Sequence, residues 1–201
     1  MVAHLPPAPD LHALAARAAV RADAMGLPLD REALSSPRPL DAARTLASVL
    51  DVARDAGIGR GLVMPPDLTD ARLEGLIRDL LDALEESPLP RTEWGGLERV
   101  LGADVLADLV GVSPSSLRRY AAGARETPDD VAARLHFLAL VVGDLAGSYN
   151  DIGVRRWFGR RRSQLGGRAP ADLLNGAWDP QDEAPAQVRA LAAALLGAPA
   201  T

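Results

Sequence analysis

Between Arg155 and Arg162 the chain carries five arginines around an aromatic pair, RRWFGRRR, followed by Gly166-Gly167 and the segment Pro170–Gly176. Guanidinium groups are planar and permanently charged, and they grip carboxylates or phosphates through paired hydrogen bonds. Three uses are open to this cluster. Trp157 and Phe158 can anchor a core beneath a solvated arginine face. The five arginines can bind DNA phosphates and add salt-dependent affinity. Aromatic and arginine side chains together can also form a protein interface, where both types are enriched at hot spots. None of these is turnover chemistry.

A second cluster lies upstream, in ADVLADLVGVSPSSLRRYAAG, residues 103–123. The spacing predicts a helix from Asp104 to Val110, a tight turn at Gly111, and Val112 as a small apolar plug. Ser113 caps a further helix, Pro114–Ala122, with proline at its first position. A helix, a short glycine turn and a second, polar helix make the helix-turn-helix layout. Such a second helix offers its N-terminal residues to base edges in the major groove. Arginine grips guanine bidentately, and serine hydroxyls contact phosphate or base. Ser115, Ser116 and Arg119 share one face, while Leu117 and Tyr120 turn to the core. Ser113, Ser115, Ser116, Arg118 and Arg119 are therefore the DNA-contact candidates. A helical hairpin that keeps this shape without binding DNA is the competing reading.

Other chemistry finds no support in the chain. Cysteine is absent and the three histidines (His4, His12, His136) lie far apart, so no metal site is expected. His136 is expected to be a satisfied or partly exposed histidine. Gly57, Gly59 and Gly61 follow no strand, so they read as a helix stop and linker rather than a phosphate loop. Asp129-Asp130 and Asp82/Glu85/Glu86 read as helix-end or surface charges rather than acid–base pairs. No enzyme activity and no cofactor are expected.

The elements that must position these clusters are helical. Apolar residues recur every three or four positions and β-branched runs are nearly absent, which predicts an all-α chain. A first helix runs from Asp10 to Met25, with Asp10 as cap and Gly26 as stop, and presents Leu11, Leu14, Ala15, Ala18 and Ala22 on one face. Leu27–Pro39 is a loop. A second helix covers Leu40–Ala56, and a third Thr69–Glu86 with a leucine-rich stripe. Ser87-Pro88-Leu89-Pro90 is the strongest candidate domain boundary. Trp94–Leu101 is a short helix. Thr127 caps a long helix reaching Tyr149, with Val131, Leu135, Leu138, Val142 and Leu145 as its core stripe. Asn150–Phe158, Ala171–Asn175 and Glu183–Leu196 are the remaining helices, and 197–201 a frayed tail.

The net charge of −5 conceals an asymmetry. Residues 113–168 hold 10 arginines against five acids, whereas residues 1–112 hold 11 against 18. Global acidity therefore does not argue against an anionic partner. All 22 basic residues are arginine. The first ten residues have neither the charged nor the apolar region of a signal peptide, and the longest apolar run is far below the roughly 20 residues that span a bilayer. A cytoplasmic, non-membrane location is expected.

Ala107, Gly111, Val112, Ser113, Ser116, Leu117, Arg119, Tyr120 and Gly123, with Leu109 or Val110, fit the Xre-type helix-turn-helix pattern. The R-W-F element at Arg156–Phe158, the Gly-Gly turn and Pro170–Leu174 resemble the toxin-binding domain of Xre/MbcA/ParS-type antitoxins. The resemblance covers Trp94–Leu196, and its specific part is Arg156–Gly176. It implies an antitoxin that occludes a cognate toxin, often of the NAD-degrading RES type, represses its own operon by binding operator DNA, and forms homodimers or larger complexes. It also implies toxin-facing residues at Arg156, Trp157, Arg160, Arg162, Leu165, Gly167 and Arg168, and in the tail beyond Trp178. Two departures stand out: the link Gly159-Arg160-Arg161-Arg162, and the helical region 1–87, which a minimal antitoxin lacks. The resulting division is 1–87 as a helical N-terminal region, 91–149 as the Xre-like helix-turn-helix domain, and 150–201 as the toxin-binding domain. A plain helix-turn-helix transcriptional regulator and a protein-interaction adaptor are the alternatives.

Overall fold

A computed structural model describes residues 10–30 and 42–197. Among these residues there are ten α-helices, two short 3-10 turns and no strand, so the chain is all-α. The helices are α1 (Leu11–Ala24), α2 (Ala42–Asp55), α3 (Asp70–Glu85), α4 (Pro90–Leu101), α5 (Ala103–Val110), α6 (Pro114–Ala121), α7 (Asp129–Ala146), α8 (Asp151–Gly159), α9 (Pro170–Leu173) and α10 (Glu183–Ala193). No single helix among them is long and apolar enough to cross a membrane. The loop expected beyond Asp30, the start of the second helix at Leu40 and the tail beyond Gly197 lie outside the described residues.

α7 is the axis of the molecule. Between Arg134 and Leu145 every one of its residues is buried, so it is covered on all sides rather than along the one expected stripe. α1, α4, α5, α8 and α10 all pack against it. α1 approaches closely because its inner face is alanine: Ala15, Ala18, Ala19 and Ala22 are at most 1% exposed. Opposite them Gly143 leaves room, for a Cβ there would stand 3.1 Å from Arg21 Cα. At its other end α1 stops at Gly26, whose φ of 75° is open to glycine at little cost. Gly26 lies against Gly96 of α4, where any Cβ would press on backbone.

One hydrophobic cluster runs from Ala15 to Ala192. The expected boundary at Ser87–Pro90 is a turn between α3 and α4, and α1 packs on both sides of it, on α2 and α3 as well as on α4 and α7. The N-terminal helices thus share their core with α5 and α6.

A buried ion network sits at the centre of that core. Asp144 is wholly buried and accepts hydrogen bonds from Arg21 Nη2 at 3.0 Å and Arg189 Nε at 2.8 Å. Arg21, 1% exposed, also donates to Glu85 at 3.0 Å, and Arg189 pairs with the same carboxylate at 3.6 Å. The network ties α1, α3, α7 and α10 together. With Arg17 Nη2 4.0 Å from the same Asp144 carboxylate, three cations face two anions, so the buried Asp144 charge is compensated in a low-dielectric interior.

Several helix ends differ from the expected ones. α4 begins at Pro90 rather than Trp94, because proline is well placed in the first turn of a helix. Thr127 does not cap α7. Pro128 holds the cap position, and the Thr127 hydroxyl instead accepts a hydrogen bond from Trp94 Nε1 at 3.0 Å. α7 ends at Ala146, short of Tyr149, and α9 is a single turn ending at Leu173 rather than Asn175. The closing helix passes into a 3-10 turn over Ala194–Gly197.

Replacing Asp144 by Ala removes the buried carboxylate that Arg21 and Arg189 share. Unfolding by urea should show a loss of about 3–5 kcal/mol, the usual cost of breaking a buried pair from one side. An Arg78→Ala change, which removes an exposed pair with Glu74, should cost well under about 1 kcal/mol in the same assay.

Candidate nucleic-acid and partner interface

α5, the turn at Gly111 and α6 occupy the stretch in which a helix-turn-helix is expected. Gly111 caps α5 in the left-handed conformation, φ 75° and ψ 38°. Val112 is partly buried against the core. Ser113 caps α6 by accepting from Ser116 N at 3.2 Å, and its hydroxyl also donates to Ser116 Oγ at 3.0 Å. Leu117 and Tyr120 are buried, while Ser115, Arg118 and Arg119 are exposed and Ser116 is half-buried. The five DNA-contact candidates therefore lie on one short helix but split in role. Ser113 is committed to the cap and shares a hydrogen bond of 2.9 Å with the Ser115 hydroxyl, while Arg118 and Arg119 present free polar ends.

α6 is fixed from behind. Tyr120 stacks on Trp94 of α4, with ring centroids 5.8 Å apart and planes at 18°. Arg125 covers the other part of the Tyr120 ring at 5.5 Å. The Trp94–Thr127 hydrogen bond adds a tie to the loop after α6. An aromatic pair of this kind contributes about 0.5–1.5 kcal/mol beyond its buried area.

The C-terminal segment is fixed to the same unit. Trp178 Nε1 donates to the Leu109 carbonyl of α5 at 2.9 Å. The Trp178 ring packs edge-on against Phe137 at 5.1 Å, and Arg134 donates to the Trp178 carbonyl at 3.3 Å. The Gly176 carbonyl presses against Gly111 so closely that a Cβ on Gly111 would collide with it. Arg155 Nε donates to the Val100 carbonyl at 2.6 Å, joining α8 to the end of α4.

Within α8, Asn150 caps the helix through Gly153 N at 2.9 Å. Trp157 and Phe158 are both 1% exposed and meet edge-on at 5.2 Å. The arginine-rich link then closes on itself: Arg162 N donates to the Arg168 carbonyl at 3.0 Å, and Gly167 N to the Arg162 carbonyl at 2.9 Å. Leu165 plugs the inside of this loop, and Gly166 and Gly167 take the positive φ values the turn needs. Asp172 accepts from Ala169 N at 2.9 Å and holds the start of α9.

This geometry corrects the expected toxin-facing set. Trp157 and Leu165 point into the core and offer no side-chain surface. Arg162 is half-buried, with its guanidinium 5.3 Å above the Trp157 ring. Arg156, Arg160, Gly167 and Arg168 remain on the outside. Arg161, left out of that set, is exposed beside them. The arginines of the N-terminal half are mostly paired, as in Arg54–Asp51, Arg72–Asp67, Arg78–Glu74 and Arg99–Asp23. Among the described residues Arg118, Arg119, Arg156, Arg160, Arg161 and Arg168 have no carboxylate within ion-pair distance. Free guanidinium groups thus stand exposed on α6 and, separately, around α8.

Reasoning from sequence missed the roles of Gly176, Trp178 and Thr127 as fasteners around α5 and α6. The Trp178 ring was a visible signal, since a tryptophan after a glycine turn in a chain with only three tryptophans calls for a buried partner.

No family model matches the chain, and no curated protein or solved structure matches it at a significant level.

Gly111→Ala places a side chain at positive φ against the Gly176 carbonyl. It should lower stability by about 1–3 kcal/mol, seen as an earlier midpoint in urea. Gly75→Ala, in α3 with open space around its Cα, should instead stabilise by about 0.5–1 kcal/mol.

Proposed function

We propose that the chain is an antitoxin that binds operator DNA through α6 and occludes a cognate toxin, of the NAD-degrading RES type, through the surface around α8 and the 160–168 loop. The observation that carries this reading is the joint presence of two unpaired arginine surfaces on one rigid unit. One is carried by a serine-capped, outward-facing helix of a helix-turn-helix, and the other by a self-closed loop over a buried Trp-Phe pair. The resemblance of Arg156–Gly176 to the toxin-binding element of Xre/MbcA/ParS-type antitoxins supports the second half. The mechanism is stoichiometric blocking of the toxin's active-site entrance, with no turnover by this chain. An exposed arginine loop braced by backbone hydrogen bonds suits a carboxylate-bearing rim on the partner, since little ordering is left to be done on binding.

A stand-alone transcriptional regulator is the second reading. It is favoured by the contact of Gly176 and Trp178 with the helix-turn-helix, because a segment bound so closely to α5 can serve DNA binding alone.

The deciding experiment expresses the adjacent open reading frame with and without this protein and follows growth and cellular NAD. The neighbour alone should arrest growth or drain NAD, and co-expression should restore both. The triple variant Arg160→Glu/Arg161→Glu/Arg168→Glu, whose side chains are exposed, should fold by circular dichroism yet fail to rescue. A harmless neighbour would leave the regulator reading in place. In a parallel binding assay on upstream DNA, Arg118→Ala/Arg119→Ala should weaken binding and reduce the salt slope by about 1 for each phosphate no longer neutralised. An unchanged slope would point to an adaptor whose helix-turn-helix is structural.

A further inference from the structure

Glu93 is wholly buried in α4, one residue before the tryptophan that supports α6. Its Oε1 lies 2.6 Å from His136 Nδ1 of α7, and its Oε2 has no hydrogen-bond partner. On the far side of the ring, His136 Nε2 lies 2.9 Å from the Glu85 carbonyl at the end of α3. A carbonyl can only accept, so Nε2 carries a proton. A buried carboxylate with one orphaned oxygen is costly unless a cation faces it, and the 2.6 Å contact holds a second proton between Nδ1 and Glu93 Oε1. The ring thus bridges three helices, and one of them, α4, is the scaffold of α6.

We propose that the Glu93–His136 pair is a proton-operated latch on that scaffold, closed while the imidazole holds both protons and released when it loses one. Loss of the Nδ1 proton sets a lone pair against the carboxylate at hydrogen-bond distance. Relief requires α4 to shift, and the shift passes through Trp94 to Tyr120 and so to α6. The groove of about 780 Å³ between the end of α3, α7 and α10 reaches His136 and gives protons a path from solvent.

The surrounding charges are few. Glu93 on α4 raises the affinity of the ring for its proton, and Arg189 on α10 opposes it. The Glu85 carboxylate is engaged by Arg21 and Arg189, and Glu86 stands at the groove. Arg17 and Arg21 of α1 are turned to Asp144, further along α7. On α7 itself, Arg134 is paired with Asp130. Asp104 and Asp108 of α5 and Arg155 and Arg156 of α8 are exposed, and Asp151 is half-exposed. Burial pushes the imidazole down, but the hydrogen bond and charge of Glu93, with the Glu85 carbonyl, outweigh it and hold the ring above its ordinary value. A raised folded value means stability that is complete below about pH 6.5 and is lost as pH rises through the folded value.

The chain lacks cysteine and lysine, so histidines are its only side chains with ordinary values between about pH 5 and 8. The test is an NMR titration of the full chain over about pH 5.5–9, with His4→Gln/His12→Gln as background. His136 should show both ring nitrogens protonated at the acid end and titrate above about 6.5. The Trp94 indole N–H signal, assigned by Trp94→Phe, should shift or broaden along with it. The melting temperature should fall over the same range. In Glu93→Gln the His136 titration should drop, and the fall in melting temperature over this range should disappear. A His136 ring that lacks the Nδ1 proton at every pH would overturn the latch, as would one titrating at or below about 6.5 or a Trp94 signal indifferent to it. The wild-type titration decides the matter even if the variant does not fold.

Discussion

The bond between Arg21 and Asp144 organises the molecule. Both side chains are essentially excluded from solvent, and a charge buried there is costly unless it is paired. Their pairing dictates that α1 lie directly on α7. That approach is close, so α1 must be lined with alanine and α7 must offer Gly143. Arg189 completes the shell of Asp144, so α10 has to return to the same point of α7. A residue near the beginning of the chain, one near its middle and one near its end are therefore fixed to one another by a few polar atoms.

The candidate binding surfaces inherit this order. α7 carries the network at one end and His136 toward the other, and α4 and α5 pack on its flanks. α6 and α8 have little of their own to hold them. α6 is eight residues long, so its propensity alone could not keep it helical in water. It is kept in place by the Trp94–Tyr120 stack, by the Ser113 cap and by the backbone contact of Gly176 with Gly111. The arginines around it are then free to face outward, because the residues on the inner side of the helix carry all the packing.

Much of this was legible in the sequence, and the reasons are local. Glycine stops, serine and asparagine caps, and three-four apolar spacing are short-range effects, so helices such as α1, α3 and α5 lie within a residue or two of their expected positions. The exposed and buried sides of α6 followed from the same periodicity. The illegible parts all depend on distant partners. Thr127 reads as a cap because its neighbours suit one, yet Trp94, more than thirty residues away, claims its hydroxyl. Trp157 reads as a core anchor as readily as an interface residue, whereas Leu165 sits in a segment whose composition suits a surface, and only the closure of the 162–168 loop shows that it fills the interior. A proline-rich break reads as a domain boundary, whereas α1 packs across it.

The arrangement also bears on how the chain is made. Arg21 and Asp144 are separated by 123 residues, and Arg189 lies a further 45 beyond. During synthesis α1 leaves the ribosome long before α7 exists to cover its alanine face or neutralise Arg21. Contacts between distant parts of a chain form slowly, because loop-closure entropy precedes their reward. The alanine face of α1 therefore cannot be covered until α7 has been made, and the Asp144 shell cannot close until α10 has been made. The finished core cannot form before the C-terminal third of the chain has been made.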